Sequence, residues 1–516
     1  MFRGRPWVRF FAAWLWAALG VGHAEQPCAR CHPSEVAAFE RSPMGRSIGP
    51  PSVFSGGRIV HKLSGSTITI HAHGATVEHR LERNGTVAEY PVAYSVGAGI
   101  VGYSYMVRVG RYLFQSPASY YTQTKSWDLT PGYETESNLD FTHQISSGCL
   151  FCHTGTINFV AGTDNQYGDP AFTPISCERC HGSSAAHLKN PVAGTIVNPA
   201  KLTGNQRDSI CEQCHLEGEV RILNPGRGWR DFAAGQTAES TFVTYLRTAA
   251  DGTLRAVSQS ELLAESQCAR QSGGRMWCGT CHNPHADEPN RAAAVRKVCL
   301  NCHADLFTAK HHEAAAECTS CHMPRLRPTN VAHSAVTDHS IPRVPRAQPA
   351  EAAGDLELKA WREPDGDVAR RDLGLAYFDR AANKRSNFDM QRAYEILAHL
   401  PAPQRQEAIV QADLASVLLA QGETDLAIRM YARAAGQEPA NARYAYCLGA
   451  AFARAGKMED AVKELRRSIE LDPSRPDAYL ELAQLYGKAG RAAQSRDVIS
   501  EYLRFMPQNI WMRSLE

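Results

Sequence analysis

The chain is 516 residues long, 43% hydrophobic and 21% charged, with a formal net charge of +2. That length calls for more than one domain, and a near-neutral balance without a basic stripe argues against nucleic acid as a partner. Sixteen cysteines stand in the sequence, and their spacing, not their number, carries the chemistry.

The first residues place Arg3, Arg5 and Arg9 ahead of an apolar run from Phe10 to Val21, followed by the small residues around Gly22 and Ala24. This pattern predicts a secretory signal over 1–24, cleaved near Ala24. The apolar run is short of the roughly 20 residues that span a bilayer, and no later stretch of sequence is long and apolar enough to do so. The expected product is exported to the periplasm, with no transmembrane segment after cleavage.

Seven Cys-x-x-Cys-His pentads follow. They are Cys28 to Cys31 with His32, Cys149 to Cys152 with His153, Cys177 to Cys180 with His181, and Cys211 to Cys214 with His215. Cys278 to Cys281 with His282, Cys299 to Cys302 with His303, and Cys318 to Cys321 with His322 complete the set. Two thiols three positions apart reach the two vinyl carbons of one haem, and the adjacent imidazole then ligates its iron. A zinc reading expects half-sites that complete tetrahedra and gives no reason for a fixed neighbouring histidine. The pentads therefore predict about seven covalent haem c groups and use fourteen of the sixteen cysteines, leaving Cys268 and Cys447.

Between the first two pentads, alternating runs over 58–63, 67–73 and 76–81 are punctuated by Ser64-Gly65 and Asn84-Gly85. They predict a small antiparallel β insertion over about 52–115. His61, His71, His73 and His79 lie on it and read as strand histidines. Further on, Gly97, Gly99, Ser104, Tyr105, Pro117, Trp127, Pro131 and Gly132 form a glycine-rich and aromatic stretch.

Several residues stand where a second iron ligand is needed. Met44, just past the first pentad, is either a thioether ligand or a core filler. His143 precedes the second pentad by six residues. His285 closes the run Cys281-His282-Asn283-Pro284-His285, His187 follows the third pentad, and His311 and His312 lie between the last two. His333 and His339 follow the seventh. Twelve histidines remain outside pentads and signal, enough on paper for every haem to be bis-histidine.

After a proline-rich linker over 346–366, Gly422, Gly456 and Gly490 recur every 34 residues, as do Pro439, Pro473 and Pro507. This is the tetratricopeptide period. It predicts clear repeats at 408–441, 442–475 and 476–509 within a helical unit over 367–516, whose concave face would dock a protein partner.

The residues from Gly97 to Gly132, together with the pentads, resemble the periplasmic multihaem c-type cytochromes related to the tetrahaem electron acceptor of hydroxylamine oxidation. The doubled pentads and the C-terminal repeats resemble members of that group that carry a tetratricopeptide unit. The resemblance implies distal ligation by His285, His187 and His339. It implies a mainly α fold: a cytochrome domain over 25–345 of short helices and loops with its small β insertion, then an all-α solenoid. The expected role is an electron carrier whose repeats dock a redox partner. The alternative is a reductase or oxidoreductase of a small nitrogen or sulfur compound, with one open haem. All seven pentads end in histidine, where some catalytic relatives have lysine, and this favours the carrier.

Overall fold

The computed structural model describes residues 27–163, 165–247, 254–285, 291–310, 317–344, 356–364 and 368–516. The expected signal segment over 1–24, His311 and His312 lie outside them. Among the described residues, no helix is long and apolar enough to cross a membrane.

The N-terminal part corrects the expected fold. In place of a short-helix domain with a minor β insertion stands a large antiparallel sheet. Its strands are β1 (Ile48–Gly49), β2 (Gly57–His61), β3 (Ser66–His73), β4 (Thr76–Arg83), β5 (Thr86–Val96), β6 (Gly102–Val109), β7 (Tyr112–Tyr121) and β8 (Ser126–Leu129). Strands β2 to β8 pair in sequence order, and β1 adds to β5. The sheet curls until β8 returns beside β2, where Trp127 donates to the Ser55 carbonyl (2.9 Å) and lies where a Gly57 side chain would stand. It is nearly a closed seven-stranded barrel.

The barrel was half legible for a physical reason. Strands β3 and β4 bury Ile68, Ile70, Val77 and Leu81 on one face and expose the other, so they alternate. Asn84 (φ 51°) and Gly85 (φ 78°) make the left-handed two-residue turn between β4 and β5. In β6 and β7 both faces are buried: Tyr105 and Phe114 point into the barrel core, while Met106 and Leu113 pack outside against Ile48, Leu150 and Tyr167. Doubly buried strands lose the alternation, and irregularities between Val92 and Tyr94 and between Ser104 and Met106 shift the register.

The pentads sit on short helices beyond the barrel. These are α1 (Pro33–Arg41), α2 (Ser147–His153), α3 (Glu178–His181), α4 (Ala185–Lys189), α5 (Gly204–His215), α6 (Gln259–Glu265), α7 (Gln267–Gln271), α8 (Cys278–Cys281), α9 (Arg291–Lys310, kinked at His303) and α10 (Cys318–His322). Small sheets tie them together. Strands β9 (Thr154–Phe159) and β10 (Tyr167–Pro174) pair, and β11 (Val220–Leu223) pairs with β12 (Phe242–Arg247). Strands β13 (Arg325–Leu326) and β14 (Val336–Thr337) form a ribbon. Part of the expected linker is structured: β15 (Leu358–Ala360) adds to β12.

The solenoid runs from α11 (Ala369–Lys384) and α12 (Asn387–Leu397) through α13 (Ala402–Arg405) to three helix pairs. These are α14 (Ala408–Ala420) with α15 (Thr424–Gln437), α16 (Ala442–Arg454) with α17 (Met458–Leu471), and α18 (Pro476–Lys488) with α19 (Ala492–Phe505), before the final turn α20 (Ile510–Arg513). Gly449 shows why the repeat wants a small residue there, since a Cβ would stand 2.8 Å from Leu465 Cγ.

Both ends of the solenoid are docked. Leu375, Tyr377 and Leu397 share a core with Val243, Tyr245 and Leu358 of the β11–β12–β15 sheet. At the other end Tyr502, Met506, Ile510 and Met512 share a core with Tyr90, Tyr112 and Phe141 of the barrel. Buried Asp140 accepts the backbone N–H of Ile510 (2.8 Å) and of Trp511 (3.4 Å), two donors that open α20.

Burial pushes the carboxyls of Asp140 and Asp413 up to about 6. A carboxyl whose folded value lies above its unfolded one favours folding in its protonated form. That contribution is fully present below the ordinary 3.8 and is lost as pH rises through about 6. Unfolding free energies should therefore carry a contribution about 1–3 kcal/mol per group more favourable at pH 5 than at pH 7.5, set against the opposite contribution of buried histidines such as His79. The gain should shrink in Asp140→Asn; an equal gain in that variant would remove Asp140 as its source.

Candidate haem-binding centre

Each pentad folds as one helical turn. The amide of His32 donates to the Cys28 carbonyl (2.8 Å), His181 to Cys177 (2.9 Å) and His282 to Cys278 (2.9 Å). This turn brings the two thiols to one side and sets the imidazole beside them. Among the described residues, no disulfide joins any of the cysteines.

The turns converge. All seven pentad histidines and thirteen of the fourteen pentad cysteines, Cys321 excepted, line one continuous cavity of about 3880 Å³. Ordinary ligand clefts reach about 1,000 Å³, so this space suits several large groups. Ile100, Leu188 and Val192 give its wall apolar surface, each at least half exposed, of the kind that would hold a flat macrocycle.

Thiols of different pentads touch: Cys28 with Cys177, Cys152 with Cys214, Cys211 with Cys278, and Cys299 with Cys318. The first pentad thus adjoins the third, the second the fourth, the fourth the fifth, and the sixth the seventh.

The histidines are prepared as ligands. Nδ1 of His181 meets the Val197 carbonyl (2.8 Å), that of His322 the Pro342 carbonyl (3.0 Å), and that of His339 the Thr337 carbonyl (2.9 Å). An Nδ1–H held on a carbonyl leaves the Nε2 lone pair free for a metal. Burial lowers the pKa of His153, His215, His285 and His339 and so favours the neutral, ligating imidazole.

Two non-pentad histidines face pentad histidines. The rings of His181 and His285 lie 5.8 Å apart at 21°, and those of His282 and His339 lie 6.3 Å apart at 31°. Two imidazoles bound to opposite faces of one metal ion, with bonds of about 2 Å, put their ring centres about 6 Å apart. Both centroid separations are close to that span, and the thiol pairs with neighbouring imidazoles fit haem c by the chemistry of the donor set.

The remaining expected ligands divide. His187 lines the cavity, with Nδ1 on Thr195 Oγ1 (2.9 Å), and so does Met44. His143 lies off the cavity: its ring stacks on Tyr133 (3.9 Å) and its Nε2 faces Glu136 (3.7 Å). His61, His71, His73 and His79 belong to the barrel and do not line the cavity; burial lowers the His79 pKa to about 3. His333 pairs with Asp128 (2.5 Å), and His399 holds the Glu395 carbonyl. Among the described residues, His187, His285 and His339 are the non-pentad histidines in the cavity wall.

Some site residues have no signal in the sequence. Arg179 donates to the Phe151 carbonyl (3.0 Å) and lies over that ring. Arg221 caps the end of α5, donating to the Gln213 carbonyl (2.9 Å) and to that of Leu216. Cys268 lines the cavity near the fifth and sixth pentads.

Comparison with known proteins agrees with these features. The doubled CXXCH motif family matches residues 271–308, and the family of cytochrome c554 and c-prime matches 116–182. Tetratricopeptide repeat families match 412–476 and 452–515. A TPR repeat-containing thioredoxin of Arabidopsis thaliana is 36% identical over 81 residues, 16% of this chain and 12% of that protein. The chain thus spans about an eighth of that relative. Among solved structures, a crystal structure of MamA aligns with a TM-score of 0.24 at 17% identity, over 27% of this chain and 86% of its own. YrrB, a TPR protein with an unusual peptide-binding site, aligns at 0.23 and 16%, over 28% of this chain and 74% of its own. The family matches support a multihaem c-type cytochrome with covalent haem c and C-terminal tetratricopeptide repeats.

Proposed function

We propose that this multihaem c-type cytochrome holds about seven haem c groups, one per pentad, and relays electrons among them in the periplasm after signal cleavage, while its repeats dock a protein partner. The observation that carries the reading is the single cavity into which all seven pentad histidines face. Covalently bound haem would supply the one-electron carriers. The polypeptide's part is to fix imidazoles on carbonyls, keep them neutral by burial, and bring neighbouring pentads into contact. His285 is assigned as second ligand to the third pentad's site, opposite His181, and His339 to the fifth, opposite His282.

A second reading has its own support. Three non-pentad histidines line the cavity, and His311 and His312 lie outside the described residues. Even if both of these ligate, five second ligands serve seven pentads. At least two positions then take a thioether, with Met44, Met276 and Met323 in the wall, or stay open to a small nitrogen or sulfur compound.

The test is the haem count by pyridine haemochrome, followed by reduced spectra with and without carbon monoxide. A count near seven supports the relay. Carbon monoxide binding to one or two haems supports the second reading, and none favours a pure carrier. In His285→Ala one further haem should become high-spin and bind carbon monoxide. An unchanged spectrum would remove His285 as a ligand.

A further inference from the structure

Glu212 is one of the two residues enclosed between Cys211 and Cys214 of the fourth pentad, and it is buried, its side chain 5% exposed. Arg362, from the segment that follows β15, holds it with both terminal nitrogens, at 2.6 Å and 2.8 Å, and Trp361 Nε1 adds a third contact at 3.1 Å. Arg362 also reaches Glu239 (3.3 Å). The Trp361 amide donates to the Thr244 carbonyl (2.8 Å), so the clamp is fixed to β12 and does not hang from a loop.

We propose that the Arg362–Glu212 ion pair sets the reduction potential of the haem on the fourth pentad. The inference rests on the reading above, that this pentad carries haem c. Reduction adds an electron to the site, so a nearby negative charge opposes it and a positive charge favours it. A charge buried in protein is screened far less than one at the surface, and local charge and hydrogen bonding are levers that set such potentials. Intact, the pair presents nearly cancelling charges. Removing one partner shifts the charge beside the pentad by one unit of known sign, with Glu239 still beside Arg362 when Glu212 is the one replaced.

The place of the clamp gives the potential a consequence. The fourth pentad is a junction: Cys214 meets Cys152 of the second, and Cys211 meets Cys278 of the fifth. Its potential therefore sets how electrons divide between those neighbours. The clamp arises from the segment leading into the solenoid, whose first helix α11 packs on the same small sheet through Leu375 and Tyr377. The junction is thus tuned by the part of the chain that joins the two halves of the protein.

The test is a potentiometric titration of the full haem-loaded protein, followed optically and by electron paramagnetic resonance. A Cys211→Ser, Cys214→Ser variant comes first. It should lose one haem and one redox step, and the lost step identifies the fourth site. If no haem is lost, the reading of this pentad as a haem site fails. In Arg362→Gln that step should move to lower potential, and in Glu212→Gln to higher potential. The double variant, which replaces the pair with two neutral amides, and Arg362→Lys, which keeps the charge, should both stay near the parent value. Shifts of the same sign in the two single variants, or a fixed fourth step at unchanged haem count, would overturn the proposal while leaving the haem reading intact. If Glu212→Gln fails to fold, the contrast between Arg362→Gln and Arg362→Lys decides.

Discussion

A chain ended at Gly366, lacking the solenoid, should not yield a stable barrel and cytochrome region; it should aggregate or be degraded rapidly. The last repeat is part of the barrel's core, since Tyr90, Tyr112 and Phe141 are buried against the cluster that holds Tyr502, Met506, Ile510 and Met512. Phe505 also meets Tyr112 edge to face at 5.1 Å. Uncovering three such aromatic side chains costs about 5–9 kcal/mol at about 1.5–3 kcal/mol each. That is comparable with the whole stability of an ordinary domain, about 5–15 kcal/mol. The polar contacts act in the same direction. Deletion removes the N–H donors of Ile510 and Trp511 from Asp140 Oδ2 while the Phe141 amide stays on Oδ1, and loss of such contacts costs about 1–3 kcal/mol. Solubility, protease resistance and melting temperature of the truncated chain give the measurement. A soluble product that melts with the parent would show that the solenoid is an independent module. The milder Asp140→Ala variant should lower the melting temperature without loss of the fold.

What the sequence discloses here follows from where the chemistry places its constraints. Attachment of one haem needs Cys28, Cys31 and His32 side by side, so the motif is contiguous and readable. The repeat is readable for a similar reason: Gly422, Gly456 and Gly490 close the first helix of successive pairs at positive φ, 34 residues apart, so the same local demand recurs at a fixed period. A second iron ligand has no such local constraint. The rings of His285 and His181, and of His339 and His282, come near each other only through the tertiary fold, whereas that of His143, close to the second pentad in sequence, lies against Tyr133 and Glu136. The Arg362–Glu212 clamp is hidden in the same way, because its arginine comes from a stretch that reads as linker. The barrel was misjudged in extent because β6 and β7 are buried on both faces and shifted in register, which removes the alternation by which a half-buried strand is recognised.

Loss of the fifth pentad should be the most damaging single change to electron relay. Its Cys278 touches Cys211 of the fourth, and His282 lies opposite His339, which follows the seventh pentad in the chain. His285, three residues on, faces the histidine of the third. The first pentad, by contrast, meets the third through its thiols, Cys28 with Cys177, and among the described residues no other pentad's thiol is seen to bond to Cys28 or Cys31. A Cys278→Ser, Cys281→Ser variant should therefore lose one haem and slow electron equilibration across the remainder by more than about tenfold, equivalent to ~1.4 kcal/mol of barrier. Cys28→Ser, Cys31→Ser should also lose one haem, yet leave equilibration among the others nearly unchanged, because it removes an end and not a junction. Stopped-flow reduction, with haem count as the control, separates the two. Equal slowing in both variants would mean that the cavity is a pool in which every haem reaches several others. Slowing confined to the fifth-site variant would mean that it is a branched path, with that pentad joining its arms.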